Sequence, residues 1–383
     1  MKRMMAFGLA ALLCACAQQG GTSSSGGTTA AAGGPHLRGT LRMAIPQDPK
    51  TLNPLMASNS IDGAVWRLMF EPLVSADDKG RPFAMLVSQV PTVANGGISN
   101  NGLTVTYRLR PHLTWTDGQP LTSADVLFSW KAVMNPDNNV ASRHGYDIVQ
   151  SIDTPNALTA IVHLKSPMAS FVNTFFAESD QPYAIVPAHV LSKDKTINQS
   201  PFNNAPTVSD GPFKFMRWAH GDRVVLTAND KFFLGRPNLD GIDVMTVANE
   251  NTEANQIRTG AIQFVLQPSI TTYPQFSNVP GVKVVMNPMN GYEGMGFNLK
   301  RAPMSDPRFR LAVAYAIDKA RLVKDLTFGQ EHIATADLPD WMWANDPSLK
   351  PLPHDIAKAR ALLAQAGVKT PVSLVIVTDS ANV

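Results

Sequence analysis

The side chains that could do chemistry are few and scattered. Cys14 and Cys16 are the only thiols in 383 residues. The eight histidines (His36, His112, His144, His163, His189, His220, His332 and His354) contain no HxxxH pair, so no zincin-like or other two-histidine helical site is supported. There is no GxSxG nucleophile elbow and no GxxxxGK[ST] phosphate loop. A triad assembled from distant residues stays open on this ground alone, but an enzyme is not the expectation, and no metal or other cofactor is expected. Trp115-Thr116-Asp117-Gly118 sets an aromatic face beside a carboxylate, which could grip a cation. The same residues make a tight Asp-Gly turn with the indole packed beneath it, and this structural reading is preferred. Asp306-Pro307-Arg308 likewise reads as a helix cap rather than a catalytic acid.

The cysteines have a different use. MKRMMAFGLAALLCAC opens with Lys2 and Arg3, continues with about ten apolar residues and reaches a small residue at Ala15, which is the layout of a secretory signal. It is too short to span a bilayer, which takes ~20 residues. Leu13, Ala15 and Cys16 resemble the −3, −1 and +1 positions of a bacterial lipobox, so Cys16 is the expected lipid attachment point. Cys14 fits less well, because Leu13 would then hold the small-residue position. Residues 1–15 are thus read as signal peptide and 16–36, rich in Gly, Ser, Thr and Ala, as a flexible tether. A mature chain prepared this way keeps no free thiol, which removes disulfides and cysteine catalysis from consideration.

Charge narrows the field further. Of the 33 basic residues, Lys2 and Arg3 fall in the signal, leaving 31 against 30 acidic ones with no long block of either sign. Nucleic-acid binding therefore lacks its usual electrostatic support. A mean hydropathy of −0.07 describes a globular body, and a chain this long can bury a large core.

Strands and helices alternate from Leu37 onward. GTLRMAI (39–45) reads as a strand, followed by a proline-bounded loop (46–54) and a helix over 58–70. Asn101-Gly102 is a turn leading into a strand over 103–109. Thr122 with Asp125 forms a capping box for a helix whose apolar face is Val126, Leu127, Trp130, Val133 and Met134. Two hairpins are expected, one turning at Thr154-Pro155-Asn156 and one at His220-Gly221-Asp222. Further helices are expected over 250–259, after Asp306-Pro307 with a buried face of Phe309, Ala312, Val313, Ala316 and Ile317, and over 354–366. IQFVL (262–266), VKVVM (282–286), YEGMGFNL (292–299) and VSLVIVT (372–378) read as strands. A strand as apolar as the last expects neighbours on both sides, so the sequence reads as C-terminally truncated.

Four stretches, read together, resemble the extracellular solute-binding protein family 5, the peptide and nickel receptors of bacterial ABC importers. They are GTLRMAIPQDPKTLNPL (39–55), YRLRPHLTWTDGQPLTSADVLFSWK (107–131), SDGPFKFMRWAHGDRVVLTANDKFFLGRPNLDGIDV (209–244) and MGFNLKRAPMSDPRFRLAVAYAIDKARLV (295–323). One departure is Ser209-Asp210-Gly211-Pro212-Phe213, where the family usually carries Gly-Thr-Gly-Pro-Tyr. The resemblance implies an α/β, two-lobed type II periplasmic-binding fold with mixed sheets and an extra third domain, the last domain incomplete. Domain I would comprise 37–60 and 200–265, an inserted domain II 61–199, and the start of domain III 266–383.

The implied function is capture of oligopeptides or dipeptides by lobe closure and delivery to an ABC permease and its ATPase. The protein would be a monomeric lipoprotein held at the membrane by its lipid, facing the periplasm or cell exterior. Gln47 and Asp48 in the loop after the first strand, and Gly291, Tyr292 and Gly294 further on, are the candidate ligand contacts; Tyr292 offers a ring and a hydroxyl, and the glycines allow close backbone approach. In the peptide receptors an aspartate that pairs with the ligand ammonium would fall beyond Val383. Rival readings keep the fold with a nickel chelate, oligosaccharide or opine as ligand, or replace transport by peptide sensing or chaperoning at the envelope. A secreted hydrolase is the most distant.

Overall fold

The computed structural model describes residues 39–77, 79–178, 183–286, 291–340, 342 and 345–377. Cys14, Cys16, the signal and the tether lie outside the described residues. In chain order the first elements are β1 (Thr40–Ile45), α1 (Ser60–Trp66), β2 (Val74–Ala76), β3 (Pro82–Ala84), β4 (Thr104–Arg108), α2 (Ser123–Met134), β5 (Val149–Asn156), β6 (Thr159–Leu164) and α3 (Ala188–Leu191). There follow β7 (Phe213–Ala219), β8 (Arg223–Ala228), β9 (Gly241–Thr246), α4 (Glu250–Thr259), β10 (Phe264–Val265), α5 (Tyr273–Ser277), α6 (Pro307–Ala316), α7 (Lys319–Leu326) and α8 (Ile356–Gln365).

One five-stranded sheet has the order β10-β1-β9-β8-β7. Its first three strands are parallel, with Ile45 opposite Thr246 and Ala44 opposite Val265, and β8 and β7 join antiparallel. β1 sits inside this sheet, and Met43, Ala44 and Ile45 at its end are buried on both faces. The β7–β8 turn falls at His220-Gly221-Asp222 as expected, because Gly221 supplies the positive φ of 74° that closes it.

Between β1 and β7 lie a three-stranded antiparallel sheet, β4-β6-β5, and the short pair β2-β3. The β5–β6 turn falls at Ala157-Leu158, two residues later than expected. Asn156 Oδ1 accepts the Leu158 N–H at 3.0 Å, and Pro155 stays inside β5, tolerated because β5 is an edge strand. α2 begins as its capping box dictates, with the Asp125 carboxylate accepting the Thr122 N–H at 2.8 Å. It packs on β5 and β6; Val126 and Val133 are buried, and Leu127, Trp130 and Met134 lean on the same core. Behind this sheet Tyr107, Tyr146, Phe171, Phe175, Phe176 and Tyr183 form a buried aromatic group, with ring centroids 5.1 Å apart for Tyr146 and Phe176 and 4.7 Å for Phe175 and Phe176. The Tyr146 hydroxyl accepts the Phe176 N–H at 2.9 Å, so its polar end is matched.

The later expectations need correction. α1 is shorter than read, ending at Trp66, and β10 keeps only two residues of its expected strand. Residues 282–286, 291–299 and 372–377 form no ladder among the described residues, although their composition suits strands. A strand exists only through its pairing, and apolar alternation alone does not supply the partner. α6 starts where Asp306-Pro307 places it, with Asp306 Oδ1 accepting the Arg308 N–H at 2.8 Å. Phe309 and Ala312 are buried, but Val313 and Ile317 are half-buried and Ala316 is exposed. No described helix is long and apolar enough to cross a membrane.

Candidate functional site

Three parallel strands end together at one edge of the large sheet. In open α/β sheets the crevice outside the carboxyl ends of parallel strands is where ligands bind. Here that edge is made by the Pro46–Asn53 loop after β1, residues 247–249 after β9 and residues 266–269 after β10. The strands hand over in register: the Val247 N–H donates to Ile45 O at 2.9 Å and the Leu266 N–H to Ala44 O at 3.0 Å. α4 begins at the same edge, capped by Asn249, which accepts the Thr252 N–H at 3.0 Å, and Glu250 Oε1 accepts the Ser269 N–H at 2.9 Å.

The loop itself is pinned from several sides. Asn53 Nδ2 donates to Asn203 Oδ1 at 2.8 Å, and Leu52 N–H to Asn203 O at 2.7 Å. Buried Asp62 accepts the Lys50 N–H at 2.7 Å and the Asn59 side chain at 2.9 Å. Asp48 turns inward as well. Its Oδ1 accepts from Trp218 Nε1 at 3.1 Å and from Thr246 Oγ1 at 3.3 Å, and its Oδ2 lies 3.5 Å from His220 Nδ1. The Trp218 and His220 rings lie 3.9 Å apart, closing that side of the carboxylate. Asp48 therefore ties the loop to the β7–β8 hairpin, whereas its neighbour Gln47 is exposed and makes no hydrogen bond among the described residues.

Gly291, Tyr292 and Gly294 occupy an exposed stretch without regular secondary structure, with Tyr292 58% exposed. Gly294 has no positive φ, and a Cβ on it would meet only the movable Tyr292 ring at 3.0 Å. Among the described residues no hydrogen bond, ion pair or ring contact joins this stretch to the Pro46–Asn53 loop. Trp115 is buried under its turn, with Gly118 at a φ of 90°, and Asp117 is engaged by His189 Nε2 at 2.8 Å, so this motif serves as structure. Asp306 is held below the usual carboxylate range, first by its side-chain hydrogen bond to Arg308. No group of three potential metal ligands forms among the described residues.

Sequence reading missed Trp218, Thr246, Asn203 and Asp62. A signal existed for Asp62 alone: Asn59 and Asp62 stand at N-cap and N3 spacing and bond reciprocally, Asp62 N–H to Asn59 Oδ1 at 2.9 Å. The others reach the loop across 150 or more residues, as in the Asp48–Trp218 contact with a separation of 170.

Comparison with known proteins places this geometry. The family described as "Bacterial extracellular solute-binding proteins, family 5 Middle" matches residues 88–382. The oligopeptide-binding protein AppA of Bacillus subtilis is 25% identical over 343 residues, covering 88% of this chain and 61% of AppA. The chain thus spans about three-fifths of that relative's length. Its fold superposes on the structure of AppA in complex with a nonapeptide with a TM-score of 0.74, at 24% identity, covering 87% of this chain and 65% of that one. NikZ from Campylobacter jejuni, in complex with Ni(L-His), gives 0.74 at 26% identity, with 85% and 63% covered. The binding protein AgaA from A. tumefaciens R10, in complex with agropinic acid, gives 0.70 at 26%, with 86% and 64% covered. These share the type II periplasmic-binding fold that the sequence implied, and the α/β organisation with its mixed sheet agrees. The motif resemblance, the matched residues and the strand edge together establish that the chain belongs to the family 5 bacterial extracellular solute-binding proteins.

Proposed function

We propose that this chain is the substrate-binding lipoprotein of an ABC importer, which captures oligopeptides or dipeptides and hands them, chemically unchanged, to a permease driven by its ATPase. The observation that carries the reading is the pinned loop at the carboxyl edge of β10-β1-β9, which leaves Gln47 exposed at that edge while Asp48 fixes the backbone behind it. A peptide entering there would bond through its own main chain and leave its side chains in tolerant pockets. Tyr292, Gly291 and Gly294 would contact it from the later segment. Residues 37–60 with 200–265 would act as one lobe, 61–199 as the inserted domain, and 266–383 as the beginning of the third. Cys16 would carry the lipid that holds a monomer at the envelope.

Micromolar capture corresponds to about 8 kcal/mol. Calorimetric titration of the full-length protein with defined di- to nonapeptides should show saturable binding, weakened about fivefold by Gln47→Ala through loss of one hydrogen bond of ~1 kcal/mol. No heat with any peptide would sink the reading. A second reading keeps the fold and changes the ligand to a nickel chelate or an opine, favoured by the likeness at 26% identity to NikZ and AgaA. Saturation by Ni(L-His) or agropinic acid, with peptides silent, would select it. Radiolabelled palmitate on the wild type, absent from Cys16→Ala, tests the anchor.

A further inference from the structure

Two chain segments run side by side where the polypeptide leaves and re-enters the large sheet. Leu68–Glu71 leads from α1 toward β2, and Ser209–Phe213 leads back into β7. Phe213 N–H donates to Leu68 O at 3.1 Å and Gly211 N–H to Met69 O at 2.7 Å. A Cβ on Gly211 would sit 2.5 Å from the Met69 carbonyl carbon, so this approach tolerates only glycine. Thr116 N–H donates to Ser209 O at 2.8 Å, and Asn229 Nδ2 donates to Gly211 O at 2.9 Å. Ser209–Phe213 is therefore the joint at which the large sheet, the first crossing and the Trp115 turn meet.

A carboxyl group lies inside this joint. Asp210 is 3% exposed; its Oδ1 accepts the Glu71 N–H at 3.3 Å, and its Oδ2 is buried with no hydrogen-bond partner among the described residues. The charged groups that act on it are Glu71, itself buried, and Asp125 of α2, both acidic. Beyond Glu71 stands Glu178, which already takes the nearby Arg67 at 2.8 Å. An ionised Asp210 would be a buried charge met only by the backbone N–H groups of Glu71 and of Asp210 itself, with like charges around it, a state that proteins avoid by keeping the proton. Burial first, and Glu71 second, hold its carboxyl well above the usual range; Glu71 is pushed up to about 7 by burial and then by Glu178.

We propose that Asp210 is a proton-held latch on this joint: as a neutral acid it stays buried and the two crossings remain zipped, and opening the joint to water releases its proton. The inference concerns the joint and does not rest on the identity of the ligand. Its sign is fixed. The closed joint holds a proton that the open joint loses, so opening becomes easier as pH rises from the ordinary carboxylate range toward the value in the closed state. One released proton makes the opening equilibrium climb about tenfold per pH unit across that window and level off above it.

Hydrogen exchange of the 68–71 and 209–213 amides in the full chain, from pH 5 to 9 and corrected for intrinsic exchange, reads the opening directly. Above about pH 7, where Glu71 has already given up its own proton, wild type should lose protection about tenfold per pH unit until the climb levels off, while Asp210→Asn, neutral at every pH, should hold constant protection. Equal slopes in the two proteins, or a flat wild type, would overturn the latch. Should Asp210→Asn fail to fold, Glu71→Gln serves instead. Removing that neighbouring charge lowers the pH at which the wild-type climb levels off, and an unmoved plateau would count against the proposal.

Discussion

Residues 39–265 and 266–377 treat apolar sequence in opposite ways. In the first region every strand is laddered and the contiguous core runs from Met43 to Val244. In the second, the described residues bury Phe276, Val279, Phe309, Ala312 and Ala359, while Val285, Leu299 and Val375 stand 59%, 60% and 90% exposed. Both regions carry segments of strand composition, so composition does not explain the contrast. Pairing does: β1 has neighbours on both sides, whereas 282–286 and 372–377 have none among the described residues.

The largest test of that contrast lies in the aromatic group. Phe175→Ala should cost about 3–5 kcal/mol in urea unfolding, whereas Val375→Ala should change stability by less than about 0.5 kcal/mol. Equal losses would break the comparison. Glycines give a second pair. Gly211→Ala drives a methyl into the Met69 backbone and should cost about 1–3 kcal/mol. Gly296→Ala meets nothing within 4 Å and has no positive φ, so it should be neutral or stabilise by up to about 1 kcal/mol through the unfolded chain. Asn249→Ala, which removes the α4 cap, should cost ~1 kcal/mol by the same measurement.

A smaller effect is read by pH. Buried Glu253 is pushed up to about 7, first by burial and then by Glu250. A raised folded value means the folded state keeps a proton that the unfolded chain has lost. Its contribution is thus fully present below about pH 4.5 and lost as pH rises through about 7. The urea midpoint should fall across that interval, and Glu253→Gln should flatten the fall; an unchanged slope would refute the assignment.

What was legible in the sequence was what local chemistry decides. The Thr122–Asp125 box, the Asp306-Pro307 start, the Gly221 turn and the bounds of α4 each depend on residues within a few positions, and each stands where it was read. The Ala157-Leu158 turn was missed because an edge strand can hold Pro155 without ending there. Asp48 was legible as belonging to the loop after β1, but not as its fastener, since Trp218 and Thr246 lie 170 and 198 residues away. Asp210 stood out as a departure from the family pattern; its burial against Glu71, 139 residues distant, belongs to the fold alone.

The central claim is capture without chemistry, and native mass spectrometry of the full-length protein purified without denaturation tests it most directly. The account predicts a heterogeneous set of intact peptides that dissociates on unfolding and leaves the protein mass unchanged. A single homogeneous sugar, or peptides released as cleavage products of an added substrate, would contradict it.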